Sequence, residues 1–189
     1  MLVFSQCRQQ FKAQRANLRW TLNAIETLTL REGLQGFNTK DVQALIWYVG
    51  WFGYYKHHAI EEMYLISTLS RKSFYFPERD VMLKQHGVLH ENARTFAAIA
   101  KLGKFSNSQE VTFIKEFLSC YREHLTIEEW LLWKNSRHRL SLQACSEANF
   151  TLAQQTDPLA NIGGDGSSPA VLAATVMRSC MFSENWFEN

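Results

Sequence analysis

The sequence reads His57-His58-Ala59-Ile60-Glu61-Glu62 within its first third, and this stretch places a glutamate four residues after a histidine. The same spacing of polar side chains recurs in His86-Gly87-Val88-Leu89-His90 and in His124-Leu125-Thr126-Ile127-Glu128-Glu129. Five of the six histidines of the protein fall in these three stretches. On an α-helix, residues four apart share a face at roughly 6 Å from each other, so each stretch directs two side chains to one point.

The residue types in these stretches are good metal ligands. Imidazole combined with carboxylate suits iron, manganese or zinc inside a helical bundle. We therefore predict a metal site, dinuclear and shared among three helices, and treat His58, Glu62 and Glu129 as additional ligands or outer partners. The predicted ligands are His57, Glu61, His86, His90, His124 and Glu128.

Hydrophobic periodicity predicts four helices, at about 4–32, 39–71, 77–102 and 107–140. Gly33, Gly36 and Gly103 are typical of helix ends, and Pro77 is typical of a first turn. Asn38, and either Asn107 or Ser108, has the character of an N-terminal cap. Short connections between long helices favour an all-α fold, an antiparallel up-down-up-down four-helix bundle.

The depth of the motifs in such a bundle provides an independent argument. With a rise of about 1.5 Å per residue, His57 and Glu61 lie roughly 15–21 Å before the end of the second helix. His86 and His90 lie roughly 14–20 Å after the start of the third, and His124 with Glu128 falls at a similar height. The three motifs are therefore predicted to meet in one layer of the core.

The chain changes character after about residue 140. We predict a bundle domain over 1–140 and a C-terminal appendage over 141–189 that is partly helical and partly irregular. Residues 143–155 have a weak helical pattern, 157–169 have the composition of a flexible linker, and 169–181 have the pattern of a last short helix. This appendage contains no cluster of candidate ligands.

Composition excludes several classes of protein. With 20 basic and 18 acidic residues the formal net charge is +2. This charge is too small to create a positive electrostatic field that would attract nucleic acid or an anionic membrane. The apolar runs are too short to span a membrane, and the first residues lack the pattern of a signal peptide. The four cysteines form no CxxC pair, and we expect them to be reduced thiols. The expected location is the cytoplasm.

At these motifs the chain resembles the hemerythrin-like family, also called the HHE cation-binding family, over roughly residues 4–140. Members are four-helix bundles that hold a non-haem di-iron centre. His57 and Glu61 match the HxxxE motif of the second helix, and His86 with His90 matches the HxxxH of the third. On the fourth helix His124 matches with Glu128 or Glu129. The resemblance implies one or two iron ions as the cofactor, with another divalent metal as an alternative.

One family ligand is absent. The family pattern has a histidine on the first helix, but no histidine precedes His57 here. The residues at matching depth are Gln14 and Arg15; Gln14 is a weak oxygen donor, and the guanidinium of Arg15 has no lone pair to offer. The resemblance implies that the ion held by His86, His90 and His124 binds more tightly than the ion near His57.

Simpler structural interpretations of these residues compete with a metal site. A single histidine on an apolar stripe is usually a packed core residue, and His138, near a helix end, is explained by the helix dipole. The aromatic residues from Trp47 to Tyr55 are more typical of a helix interface than of a cofactor site. Convergence of several histidines at one depth favours the metal site over these readings.

The predicted function is binding or sensing at the metal: O2 or NO as a small diatomic ligand, or iron and redox level. A di-iron enzyme of peroxide or nitric oxide stress repair ranks lower, because nothing marks a substrate pocket or a general acid. A metal-free bundle that serves as an interaction module is the third hypothesis. Ferritin-type chemistry is disfavoured because there is no ExxH motif, and a zincin is excluded because there is no HExxH. The oligomeric state stays open.

Overall fold

The computed structural model describes residues 2–31, 37–68, 78–105, 107–135, 140–155, 157–160 and 167–179. These residues form helices joined by short turns, and no strand occurs among them, so the predicted all-α class is confirmed. None of the helices in these ranges combines the length and the apolar character needed to cross a membrane. The helices are α1 (Leu2–Glu26), α2 (Thr39–Trp47), α3 (Glu78–Ala100), α4 (Ser108–Glu129), α5 (Leu142–Gln154) and α6 (Pro169–Arg178).

Three of the helices continue in π-helical geometry. α1 continues over Thr27–Arg31 and α4 over Trp130–Asn135. The continuation of α2 is the longest, over Tyr48–His58 and again over Glu61–Ile66. One unbroken helical rod therefore carries both members of the predicted pair His57 and Glu61. π-helical turns are uncommon in proteins and concentrate at functional sites.

Polar caps begin four of the described helices, and Asn38 and Asn107 are among the caps that the sequence indicates. The side chain of Asn38 accepts hydrogen bonds from two backbone N–H groups in the first turn of α2. Asn107, rather than Ser108, caps α4 in the same way. Ser141 and Ser168 cap α5 and α6. Each cap satisfies donors that the first turn of a helix leaves unpaired.

The predicted helix ends are described only in part. Gly103 has a φ of 67° and closes the turn after α3 in the left-handed conformation that glycine adopts without steric cost. The predicted breaks at Gly33 and Gly36 and the predicted first-turn Pro77 lie outside the described residues. The fourth helix was predicted to reach about residue 140; its described part ends at Asn135.

The four long helices form a helical bundle. α1 contacts α2 and α4, while α3 contacts α4, α2 and the continuation of α2 over Tyr48–His58. Bulky side chains from all four helices fill the interior, where they are almost completely excluded from solvent; examples are Leu18, Trp47, Phe52, Phe96 and Phe117. Burial of this apolar surface is the main stabilising contribution to the fold.

The C-terminal appendage packs on this bundle. α5 contacts α1 and the segment Glu61–Ile66, and α6 contacts α2 and α1. Cys7 in α1 and Cys145 in α5 are buried free cysteines of the same apolar cluster. The two appended helices are thus part of the same packed body as the candidate site.

The predicted flexible linker begins with a packed segment. Leu159 is completely buried, and the Asp157 carboxylate accepts hydrogen bonds of 2.9 Å from the Tyr48 hydroxyl and from Asn17 Nδ2. These two side chains pack residues 157–160 against the bundle. Composition alone predicts a flexible linker there because it does not show such contacts. Residues 161–166 of the predicted linker lie outside the described part of the chain.

A side chain from α4 enters the π-helical segment. The hydroxyl of Tyr121 donates a hydrogen bond of 2.8 Å to the carbonyl oxygen of Val49. A Cβ atom at Gly53 would collide with this hydroxyl, so glycine provides the space that it occupies. Insertion of a side chain into the hydrogen-bond ladder of a helix displaces it from α geometry. Tyr121 therefore helps to hold this part of the helix in its wider form.

Candidate metal centre

Six ionisable side chains from three helices lie together in the interior of the bundle. Each exposes no more than 2% of its surface to solvent. Ionisable groups are almost never buried to this extent unless they are paired or bind a metal. The six residues are His57, His58 and Glu61 on the continuation of α2, His86 on α3, and His124 and Glu128 on α4.

Three of the histidines form one group. Each of His58, His86 and His124 offers a ring nitrogen, and these nitrogens lie within 4.8 Å of one another. The rings of His58 and His86 are parallel with centroids 4.0 Å apart. The His124 ring stands edge-on to both, at 5.1 Å from His58 and 4.8 Å from His86. We call these residues the three-histidine group.

A second group lies beside the first and shares His58 with it. It consists of His57, His58 and Glu128, again with ligand atoms within 4.8 Å of one another. The His57 Nε2 atom is 3.4 Å from Glu128 Oε1 and 3.6 Å from Glu61 Oε1. Glu128 also approaches the three-histidine group, since its Oε2 atom is 3.5 Å from His124 Nε2. Glu128 therefore lies between His57 and the three-histidine group.

The atoms that face this space lack hydrogen-bond partners among the described residues. They are Nε2 of His57, His86 and His124, both ring nitrogens of His58, both carboxylate oxygens of Glu61 and Oε2 of Glu128. A buried polar atom without a partner costs roughly 1–3 kcal/mol, and native proteins contain few of them. So many in one place are explained if a cation is their partner. The donor set, neutral imidazoles with carboxylates, suits iron and related divalent metals.

The outer nitrogens of the same histidines are engaged by side-chain oxygens. His57 Nδ1 lies 2.9 Å from Gln14 Oε1, His86 Nδ1 lies 2.5 Å from Glu62 Oε1, and His124 Nδ1 lies 3.1 Å from Gln85 Oε1. Because these oxygens are acceptors, each Nδ1 carries the proton and donates it, which leaves the Nε2 lone pair facing inward. This is the arrangement in which proteins hold histidines that bind metals.

Burial favours the neutral form of these rings. Desolvation lowers the pKa of His57, of His58 and of His86 below the ordinary value for histidine. Neighbouring imidazoles lower the pKa of His58 further, because two protonated rings would repel each other. A neutral ring is the form that donates a lone pair to a metal.

The first helix contributes two side chains at the depth where the family histidine is missing. Gln14 supports His57 from behind, as described above. Arg15 is 1% exposed, and its Nη1 atom donates a hydrogen bond of 2.7 Å to Glu128 Oε1. The same Nη1 lies 3.7 Å from Glu61 Oε1. The guanidinium therefore stands beside both carboxylates.

The two carboxylates differ in their protonation equilibria. Burial raises the pKa of Glu61 well above its usual range, and the nearby charge of Glu128 raises it further. Burial also disfavours ionisation of Glu128, but His57, His124 and Arg15 outweigh it and hold the pKa of Glu128 well below its usual range. Glu128 is therefore the ionised member of the pair, and Arg15 is its counter-ion.

His90 occupies a different place from the one that the helical spacing predicts. It belongs to neither group. Its Nδ1 atom lies 3.3 Å from the carbonyl oxygen of Gly50, and its ring stacks on Tyr54 with centroids 4.3 Å apart and an interplanar angle of 18°. The rings of Tyr55 and His90 are nearly perpendicular, with centroids 5.3 Å apart. His90 therefore lies beside the two groups, whereas His58 is a member of both. The role of either histidine as a metal ligand stays a prediction.

The π-helical continuation of α2 accounts for this placement of His58. In π geometry the backbone bonds run from i to i+5, so each turn holds more residues than an α turn. Consecutive side chains are then separated by a smaller angle about the axis, and His57 and His58 both face the interior. The sequence signal for this was the double histidine itself, which follows a segment rich in glycine and aromatic residues.

The remaining candidate residues lie farther out. Glu62 is 37% exposed and reaches the centre only through His86. Glu129 is 32% exposed and lies 3.8 Å from Arg19 on the surface. His138, assigned from the sequence to a helix end, lies outside the described residues.

One cavity adjoins the centre, and a second lies beside Gln14. One of about 140 Å³ is lined by His124 and Gln85, with the apolar side chains of Val88 and Leu89. The other, of about 350 Å³, lies between α1 and the C-terminal segment and is lined by Gln14 among others. A small ligand in the first cavity would meet a member of the three-histidine group directly.

Comparison with known proteins adds one finding. Searches of curated proteins and of solved structures returned no match. The family model of the hemerythrin HHE cation-binding domain matches residues 9–132, a range that contains all the histidines and carboxylates of the centre. The chain therefore belongs to the hemerythrin HHE cation-binding domain family.

Proposed function

We propose that this protein binds non-haem iron in the centre described above and uses it to bind or sense a small diatomic molecule, O2 or NO. The observation that carries the proposal is the set of inward-facing, unpartnered Nε2 atoms on His57, His86 and His124, each with its Nδ1 held from behind. Membership in a cation-binding family supports it.

The residues have distinct roles in this proposal. The three-histidine group holds the ion, and Glu128 supplies a carboxylate on its open side. Glu62 and Gln85 fix the rings of His86 and His124 in the tautomer that binds metal. A bound iron ion supplies a coordination position for the diatomic ligand and a change of oxidation state.

The surroundings of the centre suit a small apolar ligand. Phe11 packs edge-on against His57 with centroids 5.5 Å apart. The cavity of about 140 Å³ beside His124 has a mainly apolar lining. Such a lining favours a diatomic gas over a charged substrate and supports binding or sensing rather than catalysis.

The proposal includes the arrangement of the helices. We propose that α1, α2 with its continuation, α3 and α4 run up-down-up-down as an antiparallel four-helix bundle. We assign residues 1–140 to this bundle, with the C-terminal helices as an appendage on it. The contacts of α1 with α2 and α4, and of α3 with the same two helices, support this order.

Metal analysis with an optical spectrum tests the proposed function. Protein purified from iron-supplemented cells is expected to contain iron and to change its visible absorption when NO or O2 is added to the reduced form. Replacing both His86 and His124 by alanine should abolish both signals while the helical circular dichroism persists. Iron-free protein that does not take up Fe(II), Co(II) or Zn(II) would support a metal-free interaction module instead.

A further inference from the structure

Arg15 stands where the centre would need a second cation. Its side chain comes from the first helix, the helix that supplies a histidine in the family pattern. It is almost completely buried, and a single nitrogen, Nη1, approaches Glu128 at 2.7 Å and Glu61 at 3.7 Å. A metal ion bound by the same carboxylate oxygens would sit about 2 Å from each of them, in the space beside this nitrogen.

Arg15 brings a permanent positive charge into the centre, because its side chain is a guanidinium. A carboxylate binds a metal in its ionised form, so Glu61 as well as Glu128 would be ionised in a metal-loaded centre. With both carboxylates ionised and Arg15 in place, one divalent ion brings the formal charge of the buried centre to +1. Two divalent ions would bring it to +3. A buried net charge of that size carries a large desolvation cost, so Arg15 opposes entry of a second ion.

The ligands left for a second ion are also too few. Gln14, the other residue at this depth, already accepts the hydrogen bond of His57 Nδ1 and lies behind that ring. His58 belongs to both groups, so an ion held through it in the three-histidine group competes with one held beside His57. His57 then remains as the histidine available to the second position.

We propose that Arg15 replaces the second metal ion of the centre, so that each chain holds one ion in the three-histidine group and an internal guanidinium beside Glu61 and Glu128. This inference rests on the proposed metal binding. It assigns Arg15 the role that a bridging cation has in a two-ion centre: it neutralises Glu128 and keeps the carboxylates in position. Position 15 is therefore the place where a new ligand could restore binding of a second ion.

The stoichiometry of metal binding tests the proposal. Equilibrium dialysis against Co(II), followed by elemental analysis, is expected to give about one ion per chain for the natural sequence. Arg15→His should give about two, because it removes the competing charge and adds an imidazole. Arg19→His is the matched control: it makes the same exchange one turn along the same helix, where Arg19 pairs with Glu129 on the surface, and it should not add an ion.

The outcomes separate this proposal from the proposed function. Two ions per chain in the natural sequence, or one ion in a helical Arg15→His variant, would overturn the role of Arg15 and leave metal binding intact. No ion in the natural sequence would overturn the proposed function itself. If the Arg15→His variant does not give a helical circular dichroism spectrum, the number of ions bound by the natural sequence tests the proposal. One ion per chain supports it, and two ions per chain overturn it.

Discussion

The two sides of the centre differ in how their buried polar and charged groups are paired. On one side, His58, His86 and His124 present neutral nitrogens without partners. On the other, Arg15 and Glu128 form an ion pair of 2.7 Å within the protein itself. The first side offers unpaired donor atoms to a cation, and the second already contains a cation. In the proposal made above, this difference results from the exchange of a ligand on the first helix for a permanent charge.

The largest effect is expected when the internal cation is removed. Arg15→Met leaves Glu128 buried without its counter-ion, and loss of one partner of a buried pair costs about 3–5 kcal/mol. Arg19→Met is the matched control, because Arg19 lies one turn along the same helix and pairs with Glu129 at 3.8 Å on the surface. Its cost should stay below about 1 kcal/mol.

Denaturant unfolding of both variants in the presence of a chelator measures this difference. Excess Co(II) should recover part of the loss in Arg15→Met, since a metal can then occupy the place of the guanidinium. Equal losses in the two variants would mean that the buried pair contributes no more than the surface pair, and the comparison between the two sides would fail.

The second prediction concerns the three-histidine side. His58→Asn removes a nitrogen from the centre and should weaken metal binding by more than about 100-fold, beyond the usual effect of losing an outer partner. His90→Asn should leave the affinity nearly unchanged, because His90 contacts Gly50 and Tyr54 instead. Competition titrations against a chelator of known affinity give both values. If His90→Asn has the larger effect, the ligand set is the one that α-helical spacing predicts.

A third prediction tests the support behind His86. Glu62→Ala removes the acceptor 2.5 Å from His86 Nδ1 and should weaken metal binding by about 10–100-fold. Glu62→Gln keeps an acceptor oxygen and should recover part of that loss. Glu91→Ala, at an exposed position on α3, is the control for removal of a negative charge. Equal affinities for the alanine and glutamine variants would show that charge, and not orientation of the ring, is what Glu62 contributes.

Much of the centre could be predicted from spacing alone. Histidines and glutamates four residues apart, at equal depth in a bundle, led to His57, Glu61, His86, His124 and Glu128, which the structure buries together. Periodicity and capping residues likewise predicted the all-α class and the starts of α2 and α4. These features depend on local geometry that is the same in every α-helix. Their roles as metal ligands stay a prediction.

The parts that spacing could not predict depend on contacts between distant segments. The placement of His58 in the centre, where spacing predicts His90, occurs in a π-helical segment that Tyr121 contacts from another helix. The pairing of Arg15 with Glu128 joins residues far apart in sequence, and the sequence showed only that Arg15 is not a ligand. The packing of Leu159 depends in the same way on Asp157 meeting Tyr48. In each case a tertiary hydrogen bond outweighs the local pattern.

The smallest effect is expected at the support of the π-helical segment. Tyr121→Phe removes the hydrogen bond to Val49 and should cost about 1 kcal/mol of unfolding free energy. Gly53→Ala alone should destabilise the protein, because its Cβ collides with the Tyr121 hydroxyl. In the Tyr121→Phe background that obstacle is gone, and the next atoms, Leu18 Cδ2 at 3.5 Å and Tyr121 Cζ at 3.6 Å, are at ordinary contact distance.

In that background the effect of Gly53→Ala on stability should therefore be reversed. The substitution should raise the free energy of unfolding by up to about 1 kcal/mol, because alanine has the higher helix propensity. Denaturant unfolding of the two single variants and the double variant measures the coupling between the positions. The same proteins should bind metal more weakly as the segment relaxes towards α geometry, because His58 then turns away from His86 and His124. Strong coupling in stability with unchanged metal affinity would mean that the π-helical turn is a packing solution for Tyr121 and does not orient His58.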